Sequence, residues 1–314
     1  MSSEELRPEE FAQAACAAIS DALTRQDRHE MAAVLAEAGL CGVMASEDDG
    51  GLGLDLAFAL PIAHAAGQLH LPLPLAEQIL LAHALPGTPQ AAALAAGERL
   101  AGIAWQGSVQ AGHARLDHGP ADWVLVADGD GAALLDVTAM PRQEQSTLDP
   151  EQPQLWIALG DAPVLARLDA AAWAAFKRRA HLLLAEFANG AAEGALQAAA
   201  SYMATRVQFS RPLSAKQAVR HLLARMRLLQ DVSSAAIRRA MQTDEYGAAR
   251  DTRPALAGAL GNAAYVIEKA IHLHGGMGFT WELPLHRALR AVRKLDAAFG
   301  GLSRDTGRAY IQSV

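Results

Sequence analysis

The sequence predicts a mainly α protein with a small β domain set between two helical segments. Three observations predict it. Hydrophobic residues make up 51% of the 314-residue chain, and much of that share is alanine, the strongest helix former. Apolar residues recur at helical spacing before residue 97 and again after residue 170. Between those limits the apolar runs shorten, and Gly, Asp and Pro separate them, which reads as strands and turns.

The first segment, residues 1–97, opens with Ser2 or Ser3 as a helix cap and with Glu4 and Glu5 at the favourable end of the helix dipole. Phe11, Ala15, Ile19 and Leu23 mark one helix, and Met31, Val34, Leu35 and Ala38 mark a second that Gly39 stops. Residues 46–53 form a loop. Helices follow over 56–67 and 76–85, with a proline-broken stretch at 71–75 between them. The middle segment, residues 98–169, holds four apolar runs: Ile103-Ala104-Trp105, Trp123-Val124-Leu125-Val126, Ala133-Leu134-Leu135 and Leu155-Trp156-Ile157-Ala158-Leu159. They predict a small antiparallel unit over 100–168, with Trp105, Trp123 and Trp156 in its core or at an interface. The third segment, residues 170–314, carries one stripe on Ala195, Leu196, Ala199, Ala200 and Met203 and another on Val219, Leu222, Leu223, Met226 and Leu229. Helices over 255–273 and from 289 to 299 complete an antiparallel four-helix bundle.

Composition excludes several functions. With 27 Lys and Arg against 34 Asp and Glu, the net charge is −7, and no dense basic tract suits nucleic acid or an anionic membrane. No apolar run reaches the roughly 18 residues that cross a bilayer, and no basic-then-apolar leader opens the chain. The two cysteines, Cys16 and Cys41, fall in helix or turn segments and read as small buried hydrophobes of a reducing cytoplasm. No metal site is expected among the eleven histidines: His272 with His274, and His64 with His70, miss the helical i,i+4 spacing and lack an adjacent carboxylate ligand. Neither a Gly-x-Ser-x-Gly elbow nor a Cys/His nucleophile pair is present.

Two segments carry chemistry. The first is Tyr202-Met203-Ala204-Thr205-Arg206-Val207-Gln208-Phe209-Ser210-Arg211-Pro212-Leu213, followed by Gln217. The second is His274-Gly275-Gly276-Met277-Gly278-Phe279-Thr280-Trp281-Glu282-Leu283-Pro284, followed by Arg287 and Arg290. Arg206 at a helix end suits the oxygens of a pyrophosphate, and Gly275 and Gly276 let backbone approach a phosphate or adenine. Each has a plainer role as well: Arg206 favours a helix C-terminus by roughly 0.3–1 kcal/mol, and two glycines stop a helix. The pair resembles the acyl-CoA dehydrogenase signatures Y-x-x-x-R-x-Q-F-G-x-P-[IL] and H-G-G-x-G-[FY]-T-x-E-x-P-x-x-R-x-x-R, and residues 47–53 resemble that family's N-terminal P-E-x-x-G-G-x-G. The three matches stand in the family's order and cover the first and third segments.

The resemblance implies the acyl-CoA dehydrogenase fold: an N-terminal helical domain, a middle β-barrel, here shortened, and a C-terminal four-helix bundle. It implies FAD as cofactor, with Arg206, Phe209, Gln217, Gly275 and Gly276 gripping the ADP half of a flavin held mainly by a neighbouring subunit. His272 stands where the family has Gln and keeps a donor there. The family reaction takes a proton and a hydride from an acyl-CoA to leave the 2,3-enoyl-CoA, and electrons pass to an electron-transfer flavoprotein.

The sequence departs from the family where the base should be. The Glu of the family's E-G-T motif, nine residues after Arg290, is Phe299, and the Thr is Gly301. The alternative base position, about 26 residues before Arg206, is Ala180, flanked by Arg179 and His181. The nearest carboxylates there are Glu186 and Glu193, and Asp296 lies a turn from Phe299, where it reads as solvated. The flavin-ring strand T-E-P-x-x-G-S-D corresponds to residues 101–108, which lack the Thr, the Pro and the Asp, whereas residues 119–126 do resemble the G-A-x-x-A-D-x-x-[LV]-V strand. Some acyl-CoA dehydrogenases of steroid side-chain breakdown pair two related chains with half the flavin sites, and this chain resembles the half without the base. Three readings stay open: a dehydrogenase subunit sharing FAD in a homo- or hetero-oligomer, a structural or binding subunit without turnover, and another flavoenzyme on the same fold.

Overall fold

The computed structural model describes residues 7–145, 147 and 149–304, so the helix start expected at Ser2, Ser3, Glu4 and Glu5 lies outside the described residues. The chain divides into two compact units, Met1–Ala66 with Leu71–Leu183 and Gly67–His70 with Leu184–Val314.

In the first unit, helix α1 (Pro8–Ala22) begins on Pro8 with Glu9 and Glu10 in its first turn. Asp27 caps α2 (Arg28–Glu37), accepting from the backbone N–H of His29 at 2.8 Å and Glu30 at 3.1 Å. Gly39, at φ 74°, ends that helix in the left-handed conformation the sequence implied. Helices α3 (Leu56–Gln68) and α4 (Leu75–Ala84) follow. A further helix, α5 (Pro89–Ala95), was not anticipated; Thr88 caps it through Ala91 N–H at 3.2 Å.

Eight strands follow: β1 (Ala101–Ala104), β2 (Gln106–Ser108), β3 (His113–Leu116), β4 (Trp123–Asp128), β5 (Gly131–Asp136), β6 (Arg142–Gln145), β7 (Gln154–Ala158) and β8 (Val164–Leu168). They make two four-stranded sheets, in the orders β1-β4-β5-β8 and β2-β3-β7-β6. The expectation of a purely antiparallel unit is corrected, because β1 and β4 run parallel, with Ala101 opposite Trp123 and Ala104 opposite Val126. The chain leaves the first sheet after β1 to build β2 and β3 of the second, then returns in the direction it left, and such a crossover makes a parallel pair. Alternate residues of both sheets (Ala114 and Leu116, Val124 and Val126, Ala133 and Leu135, Leu155 and Ile157) share one buried core. Buried side chains tie α4 to β1: Gln78 accepts from Ala101 N–H at 3.0 Å and donates to Arg99 O at 2.7 Å, and Glu77 accepts from Ile103 N–H at 2.8 Å.

In the second unit, helix α6 (Ala170–Thr205), of which the part from Leu184 belongs here, leads to the two-residue strands β9 (Val207–Gln208) and β10 (Arg211–Pro212). Helices α7 (Gln217–Met241), α8 (Arg253–Leu273) and α9 (Leu285–Ala298) complete it. Contacts show that successive helices run in opposite directions. Asn189 reaches Ser234 and Glu193 faces Arg227; Arg225 lies over Tyr265 and Asn262 bonds Ser233; Arg293 pairs with Glu268, and Gly261, earlier in α8, faces Ser303 just past α9. This is the up-and-down bundle that the stripes predict. No helix among the described residues is long and apolar enough to cross a membrane.

Candidate functional site

The two motif segments meet at one end of the bundle. Arg206 follows α6 directly, its N–H donating to Tyr202 O at 2.8 Å and its side chain exposed. The β9–β10 hairpin turns on Phe209 and Ser210 at φ 55° and 64°, both left-handed, the geometry of a tight two-residue hairpin. That turn holds the Phe209 ring 83% exposed, with the Lys216 ammonium 4.9 Å from the ring centroid. Leu213 N–H donates to Arg206 O at 2.9 Å and folds the chain into α7, whose first residue is the exposed Gln217. On the other side, His274 is buried at the end of α8, its Nδ1 2.8 Å from Ala270 O and its ring stacked on Tyr202 at 4.7 Å. The stack sets the Gly275 loop beside the α6 turn that precedes Arg206.

Gly275, at φ 62°, and Gly276 are exposed, and a Cβ on either would meet nothing within 4 Å. Gly278 differs from both, since its Cβ would lie 2.1 Å from Ile271 O, and glycine there permits close packing. His272 is exposed and lines an open cleft of about 550 Å³ with Lys269, Phe279, Trp281 and Arg290. The Arg290 guanidinium sits 4.4 Å from the Trp281 ring centroid. Arg206, Phe209 and Gln217 do not line that cleft.

The chemistry of Arg206, Phe209, Gly275 and Gly276 fits the ADP half of a dinucleotide: a cationic fork, an exposed aromatic ring and open glycine backbone. The base positions do not supply a carboxylate. Phe299 caps the C-terminus of α9, half-buried. Ala180 and His181 are buried in α6. Glu193 accepts from Gln197 Nε2 at 3.1 Å and lies 3.9 Å from Arg227 Nη1, and Glu186 is half-buried on the same helix. The reading of Asp296 as solvated is corrected. It is 5% exposed and accepts from Ser303 N–H at 2.9 Å and Ser303 Oγ at 2.6 Å, because Gly300 and Gly301 fold the chain back over it.

The least exposed acid among the described residues escaped the sequence reading. Glu77, in the first unit, is 3% exposed and accepts from Ile103 N–H and from Trp105 Nε1 at 3.3 Å. Burial pushes its carboxyl up to about 8, with the nearby Asp117 adding to the rise. Its only signal in the sequence was a lone charge in the apolar run of α4.

Comparison with known proteins gives a consistent picture. Residues 173–303 match the family described as acyl-CoA dehydrogenase, C-terminal domain. The chain is 32% identical over 256 residues to acyl-CoA dehydrogenase IpdE2 of Mycolicibacterium smegmatis, covering 78% of this chain and 75% of that protein. It is 32% identical over 287 residues to acyl-CoA dehydrogenase FadE34 of Mycobacterium tuberculosis, covering 86% of this chain but 40% of that longer protein. A chain of the ChsE4-ChsE5 complex from Mycobacterium tuberculosis shares the fold, with a TM-score of 0.78 at 22% identity over 99% of this chain and 98% of that one. Sequence identity over most of the chain, the matched C-terminal domain and the shared fold agree: the chain belongs to the acyl-CoA dehydrogenase family.

Proposed function

We propose that this chain is a subunit of an FAD-dependent acyl-CoA dehydrogenase in which the flavin is shared with a related neighbouring chain, and that it has no turnover alone. The observation that carries the reading is an asymmetry. Arg206, Phe209, Gly275 and Gly276 stand exposed and open at one end of the bundle, while the base position holds Phe299. Arg206 would bind pyrophosphate oxygens, Phe209 would cover the adenine side, and the backbone at Gly275 and Gly276 would approach the ligand without a Cβ in the way. Gln217 and His272 would add donors around it. Bound FAD supplies the hydride acceptor for oxidation of an acyl-CoA thioester to the 2,3-enoyl-CoA, with electrons leaving to an electron-transfer flavoprotein.

Removal of the proton next to the thioester needs a base within hydrogen-bond reach, and a phenyl ring cannot accept it. The carboxylate then comes from the partner chain. That one fold neighbour is a chain of a two-protein complex supports a partner chain here.

The test is the visible spectrum of the chain expressed alone and with a Glu-bearing related chain. No flavin band alone, and about half an FAD per chain in the mixed complex, bleached by an acyl-CoA, is the expected result. A flavin band at one FAD per chain in the isolated protein, bleached by an acyl-CoA, would overturn it.

A further inference from the structure

The connection between α7 and α8 carries a second cleft, formed within the second unit by residues no motif includes. It has a volume of about 470 Å³, within the range that takes small-molecule ligands. Arg239 and Arg250 line it together with Asp244 and Asp251, against a wall that includes Ala236 and Pro254. The acids are turned to their own backbone. Asp244 Oδ1 accepts from Tyr246 N–H at 2.9 Å and Ala248 N–H at 2.8 Å, and Asp251 Oδ1 accepts from Arg253 N–H at 2.9 Å.

The arginines are not engaged in that way. Among the described residues neither makes an ion pair or a side-chain hydrogen bond, and Arg250 Nε is buried without a partner. Arg239, in the last turn of α7, gains from the helix dipole, which is reason enough for a cation there. Arg250 has no such reason: it precedes α8, where the dipole disfavours positive charge and favours an anion. A guanidinium without a partner is costly where it is partly buried, and an anion seated between the two guanidiniums would pair with their accessible N–H groups.

We propose that this cleft is a binding site for a phosphate ester of about nucleotide size, its phosphate held by Arg239 and Arg250 and its organic part lying on the Ala236 and Pro254 wall. Guanidinium forks match phosphate oxygens, and the cleft is far larger than a bare phosphate needs. The site is independent of the proposed FAD contacts at Arg206.

The test is calorimetric titration of the full chain with ADP and, separately, with inorganic phosphate. Arg206→Ala serves as a background in which the FAD-type contacts are weakened. ADP is expected to bind this variant, to weaken at least about tenfold on adding Arg250→Ala or Arg239→Ala, and to lose affinity steeply with salt. Arg250→Lys should restore part of the loss, and unchanged thermal midpoints should show that the variants fold. Inorganic phosphate should bind about tenfold or more weakly than ADP, because it leaves the wall uncovered. The proposal falls if ADP does not bind in the Arg206→Ala background, if Arg250→Ala leaves the affinity unchanged, or if phosphate binds as well as ADP. If ADP binding in the Arg206→Ala background depends on Arg250, the cleft stands whatever the flavin result, and the FAD reading fails separately if the mixed complex with a Glu-bearing chain holds no flavin.

Discussion

Glu77 is a carboxyl kept from water in the first unit, and its environment makes folding depend on pH. Its ordinary value of 4.5 rises to about 8 in the fold, chiefly through burial. Between those two values the folded chain holds a proton that the unfolded chain releases. This contribution to stability is therefore greatest below pH 4.5 and is lost as pH rises through about 8. At roughly 1.4 kcal/mol per pH unit, the cost is on the order of a few kcal/mol. Glu77→Gln keeps an acceptor for one donor and removes the titration, so its thermal midpoint should fall less between pH 5 and pH 8 than that of wild type. Equal falls in both proteins would remove Glu77 as the cause. The glycines of the second motif separate in the same way. Gly278→Ala forces a Cβ to 2.1 Å from Ile271 O and should cost about 1–3 kcal/mol in denaturant unfolding. Gly276→Ala meets nothing within 4 Å and should leave stability nearly unchanged, its effect appearing as weaker flavin retention in the mixed complex. Ser210, at φ 64° in the hairpin turn, carries a strain glycine would not, so Ser210→Gly should stabilise by about 1 kcal/mol in the same unfolding assay.

Among elements, the long helices were legible and the short polar strands were not. The stripes through Met203 and Met226 bury both residues, as a 3.6-residue period requires. Strand β6 has four exposed residues, Arg142 to Gln145, and gains its place from pairing with β7 rather than from its own pattern. Helix α5 did have a local signature, Thr88 followed by Pro89, which an apolar-period search passes over in so short a piece. The end of α9 was legible in position and misread in environment, because burial of Asp296 depends on Ser303 folding back seven residues later. Asp296→Ala leaves the N–H and Oγ of Ser303 without their acceptor and should destabilise by about 2–3 kcal/mol. That loss should come with undiminished flavin content in the mixed complex below the unfolding transition. Loss of flavin at unchanged stability would instead put Asp296 among the binding residues.

For the molecule as a whole, a candidate site is legible where a backbone feature leaves a residue-type signature, and hidden where it depends on side chains brought together by packing. Arg206, Gly275 and Gly276 stood out because turns and close approaches demand particular residues, whereas the Tyr202–His274 stack that joins them spans about seventy residues of sequence. Glu77 and the cleft at Arg250 carry no motif, since burial and the absence of a partner exist only in the folded chain. On the proposed reading, Arg206 is the residue that reaches from this chain into the shared flavin site. Its exposed side chain makes no ion pair or hydrogen bond among the described residues, so Arg206→Ala should leave the thermal midpoint of the chain alone unchanged. If it grips a pyrophosphate across a subunit boundary, losing one charge-assisted contact costs about 1.5–3 kcal/mol, roughly a 10- to 100-fold loss in flavin affinity. Arg206→Lys should recover only part of that, because an ammonium cannot make the paired contacts of a guanidinium. Flavin content of the mixed complex after gel filtration, compared across the three proteins, reads this directly. Full flavin retention in Arg206→Ala would move the cofactor grip elsewhere and leave Arg206 as a helix-end cation.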